Sequence, residues 1–299
     1  MICIISVICL LLAGDFVFSW DCLPNAPSDS IVFNRVPKTG SAAVLKWINS
    51  KRKSAPNQFH YSQAGNPIER YLSEKTLDKY ITGLNELPQP FLFQRHVYWE
   101  PLPYPNFKYV SISRDPVARC ISRYNYEAFL KKRIPAISLD ECIRTKKCQF
   151  EKWTLSEEQH SYPTDEINTM QLVHDECNNY MTRWFCGRGP ECRTGNLEEA
   201  LQLAMKNIRK EYQTILVHDD LPGSLFILSK LFPSFFGVSN TTSDFSLPTV
   251  HPSTQPPPSP QTIALLESLN IYDKKLHTFI LGLHRLQLKR CNDDFNLDM

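Results

Sequence analysis

The sequence predicts an α/β protein, an open and mainly parallel sheet flanked by helices. Three observations lead there. Short β-branched and aromatic runs alternate with amphipathic stretches of helical period along the chain. The 299 residues, 42% of them hydrophobic, suffice for one domain of ordinary to large size. No stretch repeats another and no linker-like shift in composition divides the chain, so residues 21–299 read as one domain behind a leader over 1–20.

The leader is apolar from Ile2 to Gly14 and is interrupted at Asp15. That length is short for a membrane span and suits a signal peptide or a short signal-anchor; either leads into the secretory pathway. Ile31–Val36 is the first strand and Ser41–Lys53 the first helix. Phe91–Val97 is a strand, followed by the turn-rich YWEPLPYPN, and Phe107–Ser113 (FKYVSIS) is another. Pro116–Lys132 reads as a long helix. Leu197–Glu211 is amphipathic, with Leu197, Leu201, Ala204, Met205 and Ile208 on one side. A short strand over Thr214–Val217 precedes a helix over Leu221–Leu231. Ser239–Pro260 is polar and proline-rich, carries no Lys or Arg, and reads as a surface loop. Thr262–Lys289 closes the chain as a helix with a break near Asn270.

A net charge of +2 gives no argument for nucleic acid as a partner. Two of the ten cysteines, Cys3 and Cys9, lie in the leader. Cys142/Cys148 and Cys186/Cys192 are close local pairs, each easily closed as a small disulfide loop in an oxidising lumen. A zinc site fits them less well, because neither pair has CxxC spacing. The pairing of Cys22, Cys120, Cys177 and Cys291 stays open. A sequon at Asn240-Thr241-Thr242 suits the same compartment.

Two strand-to-helix turns carry chemistry. The first, VPKTGS, breaks the strand at Pro37 and places Lys38, Thr39, Gly40 and Ser41 before a helix. Such a turn presents backbone N–H groups at the positive end of a helix dipole, where anions bind. Gly40 allows close backbone approach, Thr39 and Ser41 add hydroxyls, and Lys38 adds a point charge. GxxxxGK[ST] is absent, so the turn does not advertise nucleotide hydrolysis. Alone, it fits an ordinary capped helix with a solvated lysine better. The second stretch, YVSISRDPVARCISRY, changes that balance. Arg114 stands at the carboxyl end of a strand, Asp115 is an N-cap and Pro116 a first helical residue. Ser122 lies about two helical turns on, on the face of Asp115, so Arg114 and Ser122 can converge on one anion above the sheet. Two anion sites on adjacent strand ends match a nucleotide phosphorylated at both 5′ and 3′ positions.

NRVPKTGS together with SRDPVARCISRY resembles the two signatures of Golgi carbohydrate sulfotransferases, and the RVPKT form is most similar to the uronyl and heparan sulfate 2-O-sulfotransferases. SLDECIRTKKC and MTRWFCGRGPEC resemble the cysteine loops of that branch, so the ordered matches run from Asn34 to about Leu231. The resemblance implies a P-loop-like sulfotransferase fold and 3′-phosphoadenosine 5′-phosphosulfate (PAPS) as the sulfate donor. It implies that Arg35, Lys38, Thr39, Gly40, Ser41 and Ala42 hold the 5′-phosphosulfate, and that Arg114 and Ser122 hold the 3′-phosphate. It makes His96, in FQRHVYW, the catalytic base beside Lys38, and Cys142–Cys148 and Cys186–Cys192 the disulfides. No metal is required, since fixed cations and amides stabilise the leaving group. It also implies a polysaccharide acceptor, a Golgi-lumenal or type II membrane protein, a glycoprotein if Asn240 is used, and a homotrimer. The family often carries a second histidine two positions before the base; here Gln94 stands there.

An imidazole with a reference pKa of about 6.5 can take the proton of a sugar hydroxyl. The other histidines, His218 and His277 among them, show no comparable context. A polyanionic acceptor calls for a basic rim, with Lys46, Lys51, Arg52, Lys53, Arg95, Lys131, Lys132 and Arg133 as candidates. Trp47, Tyr98, Trp99, Tyr124 and Tyr126 are candidate stacking residues, though most suit a core. The expected activity is transfer of sulfate to the 2-hydroxyl of a uronic acid in heparan or in chondroitin/dermatan sulfate. Two alternatives stand beside it: a carbohydrate sulfotransferase of other regiospecificity, and a donor- or glycan-binding pseudoenzyme, motivated by Gln94 and the uncharged late loop.

Overall fold

Five strands form one parallel sheet in the order β2-β3-β1-β4-β5: β1 Ser30–Asn34, β2 His60–Gln63, β3 Phe91–Arg95, β4 Phe107–Ser113 and β5 Tyr212–Val217. The computed structural model describes residues 20–55, 58–63, 70, 72–132, 136–145, 177–193, 196–239, 241–242, 245 and 255–297. Residues 1–19 of the leader, Arg133, Cys148, Asn240 and most of the 239–260 loop lie outside these residues.

The central strand β1 is buried throughout, which is why SIVFN reads as a nearly unbroken apolar run. Successive side chains alternate between two cores. Ile31 and Phe33 join Val44, Trp47 and Ile48 of α1 (Ser41–Ser54) and Leu225, Leu228 and Leu231 of α8 (Leu221–Leu231). Val32 and Val36 join the opposite face, made by α5 (Tyr180–Cys186), α7 (Leu197–Glu211) and α11 (Ile271–Leu297). The remaining helices are α2 (Glu74–Asn85), α3 (Pro116–Asn125), α4 (Leu139–Arg144), α6 (Pro190–Arg193), α9 (Pro233–Phe236) and α10 (Pro260–Leu269).

The strands on either side of β1 are reached in opposite directions: β2 and β3 lie on one side, β4 and β5 on the other. Loops leaving the carboxyl ends of β1, β3 and β4 therefore diverge around a crevice, the place where open α/β sheets bind ligands.

The helix over Leu197–Glu211 forms with the bounds its period predicts; Leu201, Ala204 and Ile208 are buried and Met205 packs against them. The closing helix is broken at Asn270, whose side chain donates to the carbonyls of Cys177 and Leu266. The first strand ends at Asn34 and the third at Arg95, each short of the expected bound, although Arg35 N–H still donates to the Arg95 carbonyl. The long helix after Pro116 is α-helical only to Asn125 and continues as a π-turn over Tyr126–Leu130. Strand β2 was not anticipated: HYSQ sits at the sheet edge with its first and last residues exposed, so it lacks an apolar stripe.

Cys186–Cys192 is disulfide-bonded as the resemblance implies. Cys22 pairs with Cys291, joining the two ends of the fold, and Cys120 with Cys177. Cys142 is disulfide-bonded as well, while Cys148 lies outside the described residues. Among the described residues no helix is long and apolar enough to cross a membrane, and no group of His, Cys, Asp and Glu is arranged to hold a metal.

Candidate active site

The β1–α1 turn has an unusual backbone. Lys38 (φ 67°) and Gly40 (φ 88°) both lie in the left-handed region, which a lysine enters only at a conformational cost. Gly40 is the N-cap of α1 and supplies no side-chain cap, so the first helical turn at Ser41 and Ala42 keeps its amides available to a ligand. A Cβ at position 40 would also come within 2.4 Å of His218 Cδ2, so the ring would have to move to admit one. Thr39 is fully buried and its hydroxyl donates to the Val36 carbonyl (2.7 Å), so it fixes the turn and offers an anion its backbone rather than its side chain. The Lys38 ammonium stands 3.9 Å from the centre of the Tyr126 ring, at the start of the π-turn.

The β4–α3 turn meets the first one directly. Arg114 Nη1 donates to the Lys38 carbonyl at 3.2 Å. Burial pushes the Arg114 guanidinium below the usual arginine range, against the pull of Asp219 and Asp115. Asp115 caps α3 as the sequence suggests, accepting from Ala118 N–H at 2.8 Å. The preceding residue, Ser113, is anchored through its hydroxyl to His277 Nδ1 (2.8 Å) on α11. Ser122 is half-buried on α3, and none of the described contacts joins it to Arg114.

His96 follows β3 and its ring is fixed at both nitrogens. Nδ1 lies 2.7 Å from the Arg35 carbonyl and Nε2 lies 3.1 Å from Arg35 Nη2. A carbonyl only accepts and a guanidinium only donates. Together they assign the proton to Nδ1 and the lone pair to Nε2, the form of histidine that acts as a base. Arg35, placed with the donor-binding loop by resemblance, thus has its guanidinium on the candidate base. Burial lowers its pKa to about 10, with Tyr61 opposing, so it stays cationic at neutral pH. Gln94 is buried on β3 and donates to Gln63 Oε1 at 2.8 Å.

The structure therefore brings Arg35, Lys38, Gly40, His96 and Arg114 to one end of the sheet. Other sequence candidates disperse. Trp47 and Tyr124 belong to the cores. Lys51 lies over Trp47 and Arg52 over Tyr61, on the α1 side, while Arg95 faces Tyr80 among the opposite core. Lys131 joins Lys38 at Tyr126. Sequence reasoning missed His218, although it immediately follows the carboxyl end of β5, the position that Arg114 holds on β4.

Comparison with known proteins identifies the family. The uronyl 2-sulfotransferases of Mus musculus and Homo sapiens are 28% identical over 216 residues, covering 69% of this chain and 49% of theirs. Heparan sulfate 2-O-sulfotransferase 1 of Mus musculus is 25% identical over 277 residues, 88% of this chain and 72% of the relative. The uronyl 2-sulfotransferase homolog pip of Drosophila melanogaster is 26% identical over 255 residues, 74% of this chain and 45% of its own. The chain thus spans about half the length of the uronyl 2-sulfotransferases it matches. The Sulfotransferase domain matches residues 28–189, more than half of the chain, a stretch holding both turns and His96; the chain belongs to the sulfotransferase-domain family.

Proposed function

We propose that the protein transfers sulfate from PAPS to the 2-hydroxyl of a uronic acid in a glycosaminoglycan. One observation carries the reading. A histidine whose two contacts to Arg35 leave the proton on Nδ1 and the lone pair on Nε2 shares the end of the sheet with an uncapped helix N-terminus, Lys38 and Arg114. The relatives, all named 2-sulfotransferases, support the position of transfer.

The residues present fit the donor. The left-handed turn at Lys38 and Gly40 presents amides to a 5′-phosphosulfate, and Arg114 presents a guanidinium to a 3′-phosphate. Bound there, PAPS supplies the sulfuryl group. His96 Nε2 takes the proton of the acceptor hydroxyl, worth roughly 10²–10⁴-fold in rate. The N–H at Nδ1 keeps donating to the Arg35 carbonyl, which holds the ring as Nε2 becomes charged. Arg35 Nη2 must yield Nε2 to the acceptor, and an arginine released next to a uronic acid pairs with its carboxylate. Lys38 neutralises charge on the oxygen that leaves, and the amides of Ser41 and Ala42 act as fixed dipoles on the same charge. The disulfides support an oxidising lumen, such as that of the Golgi, as the working compartment.

The test is sulfate transfer to a panel of desulfated heparan, chondroitin and dermatan polymers, with the labelled product mapped by disaccharide composition. Label confined to the 2-position of uronic acid supports the reading, and label on glucosamine or galactosamine overturns it. Donor binding without transfer to any polymer would favour the pseudoenzyme, which the amide pair Gln94–Gln63 beside the site motivates.

A further inference from the structure

A fourth strand end reaches the same place. His218 opens the single turn His218–Asp220 at the carboxyl end of β5, two strands from β1, yet its ring lies against Gly40. Nε2 is 3.3 Å from where a Cβ on residue 40 would stand. The other ring nitrogen is committed: Nδ1 is 3.1 Å from Asp219 Oδ1, and a carboxylate can only accept, so Nδ1 carries a proton. The side chain is 30% exposed, so a ligand seated on the turn can reach it. Asp219 also pulls on Arg114 and on His277, so its charge is felt at the β4–α3 turn as well.

An exposed carboxylate at that position would repel a donor carrying phosphates at both ends. Pairing with an imidazolium offsets that charge and leaves the second ring N–H facing the turn. We propose that His218, oriented by Asp219 and carrying a proton on both ring nitrogens when the donor is bound, is a further donor-binding residue whose Nε2–H donates to the 5′-phosphosulfate oxygens held at Gly40 and Ser41. The inference rests on the donor reading above and adds a ligand to it. Asp219 is a positioning residue, acting through the ring.

Calorimetric binding tests it with two probes, 3′,5′-adenosine bisphosphate and adenosine 3′-monophosphate, which lacks the 5′ group. His218→Ala is expected to weaken the bisphosphate about ten-fold, as loss of a hydrogen bond to a charged group does, and to leave the monophosphate unchanged within about two-fold. His218→Gln, which retains a polar tip of similar reach, should recover part of the loss, and it carries the same comparison should the alanine variant fail to fold. An equal loss for both probes would show that the ring merely packs the turn, and no loss for either would remove it from the site; both overturn the proposal while the donor reading stands. Failure of the unsubstituted protein to bind the bisphosphate overturns the donor reading and this inference together.

Discussion

The two turns that leave β1 and β4 point to the same end of the sheet and are finished in opposite ways. The β4–α3 turn is closed by its own sequence: Asp115 accepts from Ala118 N–H and Pro116 starts the helix, so a carboxylate already sits on the positive end of α3. The β1–α1 turn has a glycine cap without a side chain and two residues in the left-handed region. An anion can therefore use the backbone of the first turn, but it meets the second only through the side chain of Arg114. Similar strand–turn–helix segments thus divide the work: one offers a helix end, the other a guanidinium aimed across at the Lys38 carbonyl.

Four experiments break or sharpen that contrast. The largest effect is expected from His96→Ala, which should lower kcat by roughly 10²–10⁴-fold while binding of 3′,5′-adenosine bisphosphate stays within about two-fold; unchanged turnover would remove His96 as the base. Next, Arg114→Ala should weaken the same ligand by about 10–100-fold, as loss of a charge-assisted contact does. An effect confined to turnover, with binding intact, would mean that Arg114 serves the turn and not the ligand. Asp115→Ala should cost about 1 kcal/mol of stability, read as a lowered midpoint of thermal or denaturant unfolding, with ligand affinity retained. Tighter binding in that variant would show that the α3 end is an anion seat blocked by Asp115, and the contrast between the turns would collapse.

The smallest effect is a pH dependence at the anchor of the second turn. Burial lowers the pKa of His277 in the folded chain, against the pull of Asp115, Asp219 and Asp273. The unfolded chain therefore binds the proton more readily. The stability of the neutral ring is present above the unfolded value of about 6.5 and is lost as pH falls below it. The midpoint of unfolding should decline between neutral and mildly acidic pH, and His277→Gln should flatten that decline. A decline of equal slope in the variant would assign it to other groups.

Both turns could be read in the sequence because each is local. Glycine, lysine and hydroxyls between a strand and a helix, or Arg-Asp-Pro at a strand end, state their backbone needs within a few residues. The same holds for helices capped from their own N-terminal side, as at Asn196, Asp220 and Ser259. The pair α5 and α11 shows the limit. Asn179, at φ 48°, gives α5 no cap; instead Asp273 of α11 accepts from Met181 and Thr182 N–H, and Asn179 Oδ1 in turn accepts from Tyr272 and Asp273 N–H. Those partners are more than ninety residues apart, so no window of sequence contains the reason that α5 begins at Tyr180.

The sequence by itself determined the alternation of strands and helices, the positions of the two strand-to-helix turns after β1 and β4, and the placing of His96 at a strand end. Those features rest on side-chain period and backbone preference within a single element. Only the tertiary structure decided that Arg35 sets the tautomer of His96, that Arg114 reaches the Lys38 carbonyl, that His218 covers Gly40, and that Cys22 meets Cys291. Each of these joins side chains whose separation along the chain is set by how the strands are ordered in the sheet, and that order follows from which faces the whole molecule can bury.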